Sequence, residues 1–445
     1  MNGKKYITVA FLTVLFAGMA NSGFAQEVVV ENNTPVGARA VGMGGTGIAG
    51  ANDLTALFYN PAALARIDRL EVQFGLNMLR RSIDTGQKSS IGTEHAEANT
   101  DYSGLGTIGV AYPVPTDRGS LVLGIAYNRV KDFSGTIQID GYNDYLVGQQ
   151  TGESIEEGGI GILSFGGAVD VSPNVSVGAS IDIWLGDYKR DNRSLLNDDT
   201  APYSQLDITG SDDEISAWSF KPSILYFTDK FRFGAYARLP MTFHIEESYY
   251  SEGYSRDDGD YFGLYEFIDP TSQHTDDDVT YTDNLNYKVK APMQIGLGFA
   301  WGTPGKKSMA VDVIYENWTQ AKLRYPADYL PEPSYFRDKY RSALNWKVGA
   351  EHELPFFDVV GRIGYMREPI LFKGPRGYES NEPLISVENE RDFITFGLGK
   401  EFDRSLRVNV GYAHGIWTQK ETPREEEENR NSVFFSVIYN MQTGE

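Results

Sequence analysis

"RLEVQFGLNMLRR", residues 69 to 81, alternates two kinds of side chain from Leu70 to Met78. Leu70, Val72, Phe74, Leu76 and Met78 fall on one face, and Glu71, Gln73, Gly75 and Asn77 on the other. A period of two is the period of a β-strand, so this stretch is a strand with one apolar and one polar face. The pattern returns around Val110, Ile125, Gly167, Ile181, Phe220, Ala235, Leu297, Val311, Val348, Ile363, Phe396, Val408 and Val437, which makes fourteen strands.

The connections fall into two classes that take turns along the chain. Long polar stretches (82–103, 134–159, 189–213, 249–285, 324–341, 368–390, 418–430) alternate with tight turns such as Pro115 to Gly119, Ser172-Pro173-Asn174, Thr228-Asp229-Lys230 and Asp403-Arg404. A soluble sandwich would carry turn signals at short, even spacing without this alternation. Long loops on one side and short turns on the other describe a bacterial outer-membrane barrel, whose short turns face the periplasm. In hydrocarbon every backbone polar group must be paired, and a closed barrel does this without edges while one face of each strand meets lipid. The expected fold is all-β: a 14-stranded antiparallel transmembrane β-barrel.

Composition agrees. Aromatics make up 13 % of the chain, with 47 Gly, 27 Tyr and 24 Phe, a bias toward strands and turns. The six tryptophans (Trp184, Trp218, Trp301, Trp318, Trp346, Trp417) fall in or at the ends of strands, as interfacial girdles require, with Trp184 and Trp318 on the inward phase. There is no cysteine, which excludes a small disulfide scaffold. The net charge of −21 disfavours a nucleic-acid partner, and none is expected. Lys4 and Lys5, the apolar run from Ile7 to Ala20 and Gly23-Phe24-Ala25 mark residues 1–25 as a signal peptide, so export is expected.

Before the first strand lies "VGMGGTGIAGANDLTALFYNPAALARI", residues 41 to 67. Its Gly42, Gly44 and Gly47 have the spacing of a dinucleotide-binding loop, but that loop needs a strand before it and a helix after it inside a βαβ unit. No βαβ pattern follows. "GARAVGMGG" and "NDLTALFYNPAALARI" together resemble the N-terminal hatch of the FadL-type outer-membrane transporters of long-chain fatty acids and other hydrophobic molecules. "FRFGAYARLPMTFHIE" (231–246), "KAPMQIGLGFAW" (290–301), "VDVIYENWTQAKL" (311–323) and "VVGRIGYMREP" (359–369) are similar to strands of the same family, so the resemblance covers nearly all of the mature chain.

The resemblance implies a hatch (residues 26–68) plugging the lumen of a barrel (69–441) that ends in a short tail (442–445). It implies passive uptake of long-chain fatty acids or other hydrophobic small molecules, with lumenal binding, hatch movement and lateral release through the wall. Asn60, Pro61 and Ala62 are the expected hatch or gate turn. Asn bonds its own backbone and Pro fixes φ, so the turn is stiff, and it equally serves as a plain corner. A buried carboxylate needs a cation. Strand parity turns Arg238, Arg362, Lys221, Lys290 and Lys347 inward as candidate substrate-binding residues, together with Asp182, Asp312, Glu316 and Glu351, which equally serve to neutralise them. The resemblance puts the wall opening in the third strand, whose part from Asn128 to Gly135 loses its alternation, a kink or simply the strand running into its loop.

The loop 249–285 mixes aromatics such as Tyr249 and Tyr250 with acids such as Asp257 and Asp276, a landing surface for a greasy substrate or a solvated loop. No cofactor or metal is expected, and no catalytic motif occurs: the five histidines are scattered, and neither His-Glu-x-x-His nor Gly-x-Ser-x-Gly is present. The expected partners are the hydrophobic substrate and the lipid and lipopolysaccharide of the bacterial outer membrane around a monomer. A FadL-like barrel serving as a non-transporting partner in protein secretion, like the type IX secretion shuttle, is the alternative. The chain departs from most barrels in ending Asn440-Met441-Gln442-Thr443-Gly444-Glu445, without a terminal aromatic.

Overall fold

The computed structural model describes residues 29–30, 34–143, 148–198, 203–256, 279–324, 335–355, 358–371, 385–387, 390–403, 405–421 and 424–441. The expected signal peptide, most of loop 249–285 and the tail 442–445 lie outside them.

Fourteen strands form one sheet. They are β1 (Leu70–Ser89), β2 (Gly92–Val114), β3 (Leu121–Asp132, then Gly135–Asn143), β4 (Gly148–Ser172), β5 (Val175–Asp198), β6 (Tyr203–Phe227) and β7 (Phe231–Arg238, then Met241–Arg256). They continue with β8 (Val279–Ala291, then Gln294–Thr303), β9 (Lys307–Asn317, then Lys322–Arg324), β10 (Ser342–Leu354), β11 (Val359–Glu368), β12 (Ile385–Val387, then Arg391–Phe402), β13 (Leu406–Glu421) and β14 (Arg424–Met441). Each runs antiparallel to the next. β14 returns to β1 from Leu70↔Met441 to Gln87↔Arg424 and closes the barrel.

The alternation has the expected sense. Glu71 and Gln73 are each 1 % exposed and face the lumen, whereas Val72 and Phe74 are 38 % and 41 % exposed on the outside. Trp218, Leu297, Trp301, Met309 and Phe396 continue this apolar outer surface around the barrel. Several polar stretches that read as loops are strand instead. β4 and β6 each run 25 residues, more than twice the ~9–11 needed to cross a bilayer. Beyond the bilayer both faces meet water, so the apolar alternation fades while the backbone ladder continues.

Parity slips at one place with a clear cause. The lower parts of β7 and β8 pair up to Arg238↔Gln294, and the upper parts resume at Met241↔Ala291. Leu239-Pro240 and Pro292-Met293 lie between, and proline has no N–H for the ladder. Inward residues are even-numbered below this break (Tyr236, Arg238, Gly296, Gly298) and odd-numbered above it (Met241, Phe243, Tyr287, Val289). Lys290, expected in the lumen, is therefore exposed on the outer face.

Residues 34 to 68 fill the lumen with α1 (Ala38–Gly42), α2 (Ala56–Tyr59) and a 3-10 turn over Pro61–Arg66. A 3-10 turn over Trp318–Gln320 interrupts β9, and the remaining α-helix with described bounds is α3 (Tyr335–Lys339), on the β9–β10 connection. No described helix is long and apolar enough to cross a membrane. The hatch meets the wall backbone to backbone. A Cβ on Gly364 of β11 would stand 2.1 Å from the Gly44 nitrogen, and one on Gly349 of β10 would stand 2.2 Å from the Met43 oxygen. Only glycine admits such an approach.

Candidate functional site

The hatch floor is built around Asn60. Its side-chain oxygen caps the 3-10 turn by accepting from Ala62 N (3.1 Å), with Pro61 at the first turn position, where a missing N–H costs nothing. Its Nδ2 donates to the Ile48 carbonyl within the hatch (2.8 Å) and to the Ile224 carbonyl of β6 (3.2 Å). Ala62 N also donates to Ser223 Oγ of the wall (2.9 Å). A Cβ on Gly178 of β5 would stand 2.5 Å from Ala62 N, so the turn is seated directly on the barrel. Tyr59, beside it, donates to the Val36 carbonyl (3.0 Å) and accepts from Val36 N (2.9 Å), and burial pushes its phenol well above the ordinary range.

Three wall carboxylates hold the hatch at other points. Glu351 of β10 accepts from Arg39 through Nε (3.2 Å) and Nη2 (2.6 Å), from Arg362 Nε (3.1 Å) and from Gly305 N (2.7 Å). Asp312 of β9 accepts from the successive amides of Gly47 (2.7 Å) and Ile48 (2.9 Å). Glu71 of β1 accepts from Leu54 N (2.6 Å) and from Arg407 of β13 (2.6 Å). Asp312 and Glu71 thus satisfy hatch amides, and Glu351 the Arg39 side chain, at fixed places.

Above the floor lies a chamber between the hatch and the wall. Phe58, Tyr59, Trp184, Phe243 and Trp318 give it aromatic walls, and Trp184 and Phe243 meet edge to face with centroids 5.8 Å apart. Three of the five expected cations line it: Arg238, Lys221 and Lys347. Arg238 is paired with Glu316. Lys221 is paired with Asp182 (3.2 Å) and donates to the Phe58 carbonyl (2.7 Å). Lys347 stands across the ladder from Asp312, whose Oδ2 is taken by the hatch amides, and its own ammonium has no ion pair or hydrogen bond among the described residues. Arg362 is bound to Glu351 and does not line the chamber. Lys290 lies outside.

A second cavity shares Thr34, Pro35, Lys131 and Glu368 with the chamber and reaches Met78, Tyr102 and Arg129 in the wall. Pairing between β2 and β3 ends at Thr107↔Asn128, β3 shifts register against β4 between Arg129 and Lys131, and β3 breaks after Asp132. The Val130 carbonyl accepts from Thr34 N of the hatch segment (2.7 Å), and Lys131 Nζ donates to the Val29 carbonyl (2.9 Å).

Parity and the hatch motif pointed to Asn60, Pro61, Ala62 and the chamber cations. Sequence reasoning missed Arg39, Tyr59 and the wall glycines. Their signal was glycine recurring on the inward phase of the strands (Gly349, Gly364, Gly397, Gly411), the mark of a wall approached closely from inside.

This architecture is a closed fourteen-stranded barrel with its own N-terminal segment lodged in the lumen. No protein-family model and no curated protein matches the sequence. Solved structures do match the fold. The Pseudomonas putida toluene transporter TodX aligns over 93 % of this chain and all of that one at 15 % identity, with a TM-score of 0.58. A Pseudomonas aeruginosa FadL homologue aligns over 93 % of this chain and 100 % of its own at 14 % identity and a TM-score of 0.59. The Ralstonia pickettii toluene transporter TbuX aligns over 91 % and 98 % at 14 % identity and a TM-score of 0.55. At these identities the shared property is the fold, that of a FadL-type channel.

Proposed function

We propose that the protein is a bacterial outer-membrane channel for passive uptake of a hydrophobic molecule carrying one anionic group, a long-chain fatty acid being the model substrate. The observation that carries this is the chamber: aromatic walls, a floor closed by the hatch, and one cation, Lys347, that faces Asp312 across the ladder but makes no direct ion pair among the described residues. Arg238 and Lys221 already face their own carboxylates, so a carboxylate entering the chamber gains most at Lys347. Release runs sideways along the second cavity, past Thr34 and Pro35, to the wall between β2 and β3, where the backbone ladder is interrupted. Hatch movement at the Thr34–Val130 contact opens this path. The chain performs binding and passage rather than catalysis.

The test is Lys347→Met in proteoliposomes, comparing oleate with toluene. Oleate affinity is expected to fall by roughly 10–100-fold, the value of a charge-assisted hydrogen bond, with toluene passage unchanged. An equal change for both, or for neither, refutes the assignment.

A further inference from the structure

The proline break that turns Lys290 outward also assembles a cation patch on the exterior. Lys290 lies directly across the ladder from Lys322, and Lys288 lies directly across from Arg324. All four are exposed and share one face, and His244 stands opposite Lys288 on the other side. Like charges directly opposite on a sheet destabilise it. Here two such pairs are stacked, and none of the four has an ion pair among the described residues. The neighbouring exterior at this height has the opposite sign, with Glu214 paired across from Glu246, and the whole chain carries −21.

Height gives the patch its meaning. Below it β8 shows lipid the row Ile295, Leu297 and Trp301. From Trp301 up to Lys290 the strand climbs eleven residues, roughly 28 Å of height at a tilt of about 40°, against an apolar band of about 25 Å. The cations therefore sit at the upper edge of the band on the long-loop side, level with outer-leaflet headgroups. We infer that Lys288, Lys290, Lys322 and Arg324 form a binding site for the phosphates of an outer-leaflet glycolipid of the lipid A type. Two phosphates on one sugar backbone offset two opposed cation pairs, which removes the like-charge repulsion that the bare ladder carries. The inference is independent of what passes through the lumen.

The full-length barrel in mild detergent is titrated with diphosphorylated lipid A and with its dephosphorylated form, and bound lipid is counted by native mass spectrometry. The wild type is expected to retain the phosphorylated lipid at least about tenfold better, because each cation near the surface adds attraction for the phosphates. The K288Q/K290Q/K322Q/R324Q variant is expected to lose that preference, while K306Q/K307Q, at the opposite rim, keeps it. Each variant is checked for the heat-modifiable gel shift of a folded barrel, and K288Q/R324Q and K290Q/K322Q replace the quadruple variant if it misfolds. Equal retention by wild type and variant, no preference in the wild type, or displacement by millimolar inorganic phosphate overturns the inference.

Discussion

Arg39 of the hatch grips Glu351 of the wall with two bonds, Nε to Oε2 at 3.2 Å and Nη2 to Oε1 at 2.6 Å, and Arg362 closes on the same carboxylate from β11 at 3.1 Å. One anion thus serves two buried cations. Removing it strands both, whereas removing Arg39 leaves the Arg362–Glu351 pair in place. Glu351→Gln is expected to loosen the hatch more than Arg39→Met, by about 3–5 kcal/mol for a broken buried pair. Hydrogen exchange of amides 38 to 50 measures this, and equal protection in the two variants would contradict the shared-anion arrangement.

Packing predicts a sharper effect at the wall glycines. A Cβ on Gly364 would enter the Gly44 backbone at 2.1 Å, while one on Gly361, three residues earlier, meets only Leu354 side-chain atoms at 3.5 Å. Backbone has no rotamer to yield. Gly364→Val is expected to displace the hatch and raise single-channel conductance in planar bilayers, and Gly361→Val to leave it at the wild-type level. A closed Gly364→Val channel would mean that the hatch is not what blocks the lumen.

The barrel was legible because two environments, lipid and lumen, write a period of two into every strand. Val72 and Phe74 outside and Glu71 and Gln73 inside follow it without exception. Above the bilayer that contrast ends, so the upper halves of β4 and β6 read as loops although their ladders run on. The site was half legible. Parity brought Arg238, Lys221 and Lys347 to one chamber, and it failed for Lys290, because the break opposite Pro240 and Pro292 exchanges the faces of β7 and β8. No pattern along the chain separates Lys347, whose opposite Asp312 gives one oxygen to the hatch amides, from Lys221, which pairs directly with Asp182 on the neighbouring strand. That difference arises only when the hatch is in place.

Asn60 allows a test of donor against acceptor. Its oxygen caps Ala62, a role Asp also fills, but its Nδ2 donates to two carbonyls, Ile48 and Ile224, which a carboxylate would repel. Asn60→Asp is therefore expected to cost more than Asn60→Ala, with each unsatisfied buried carbonyl contributing about 1–3 kcal/mol. The readout is hatch exchange protection together with leakage of a large antibiotic into cells. The opposite order would assign the turn to capping alone.

The paired cations of the chamber should behave unlike the unpaired one. Arg238 with Glu316 and Lys221 with Asp182 are each neutral as units, and replacing a buried pair by apolar residues of similar volume is often harmless. The double variant Arg238→Met with Glu316→Met is expected to keep oleate affinity within about threefold of wild type, a loss under 1 kcal/mol. Arg238→Met alone leaves the Glu316 carboxylate unpaired in the chamber beside Trp318 Nε1, which donates to it at 3.3 Å, and that charge repels an incoming anion. Its oleate affinity should fall by more than the double variant's while toluene passage stays constant. Equilibrium binding of fluorescent fatty acid to the purified barrel separates the cases. If the double variant loses as much affinity as Lys347→Met, the substrate carboxylate rests on Arg238, and the paired and unpaired cations of the chamber exchange roles.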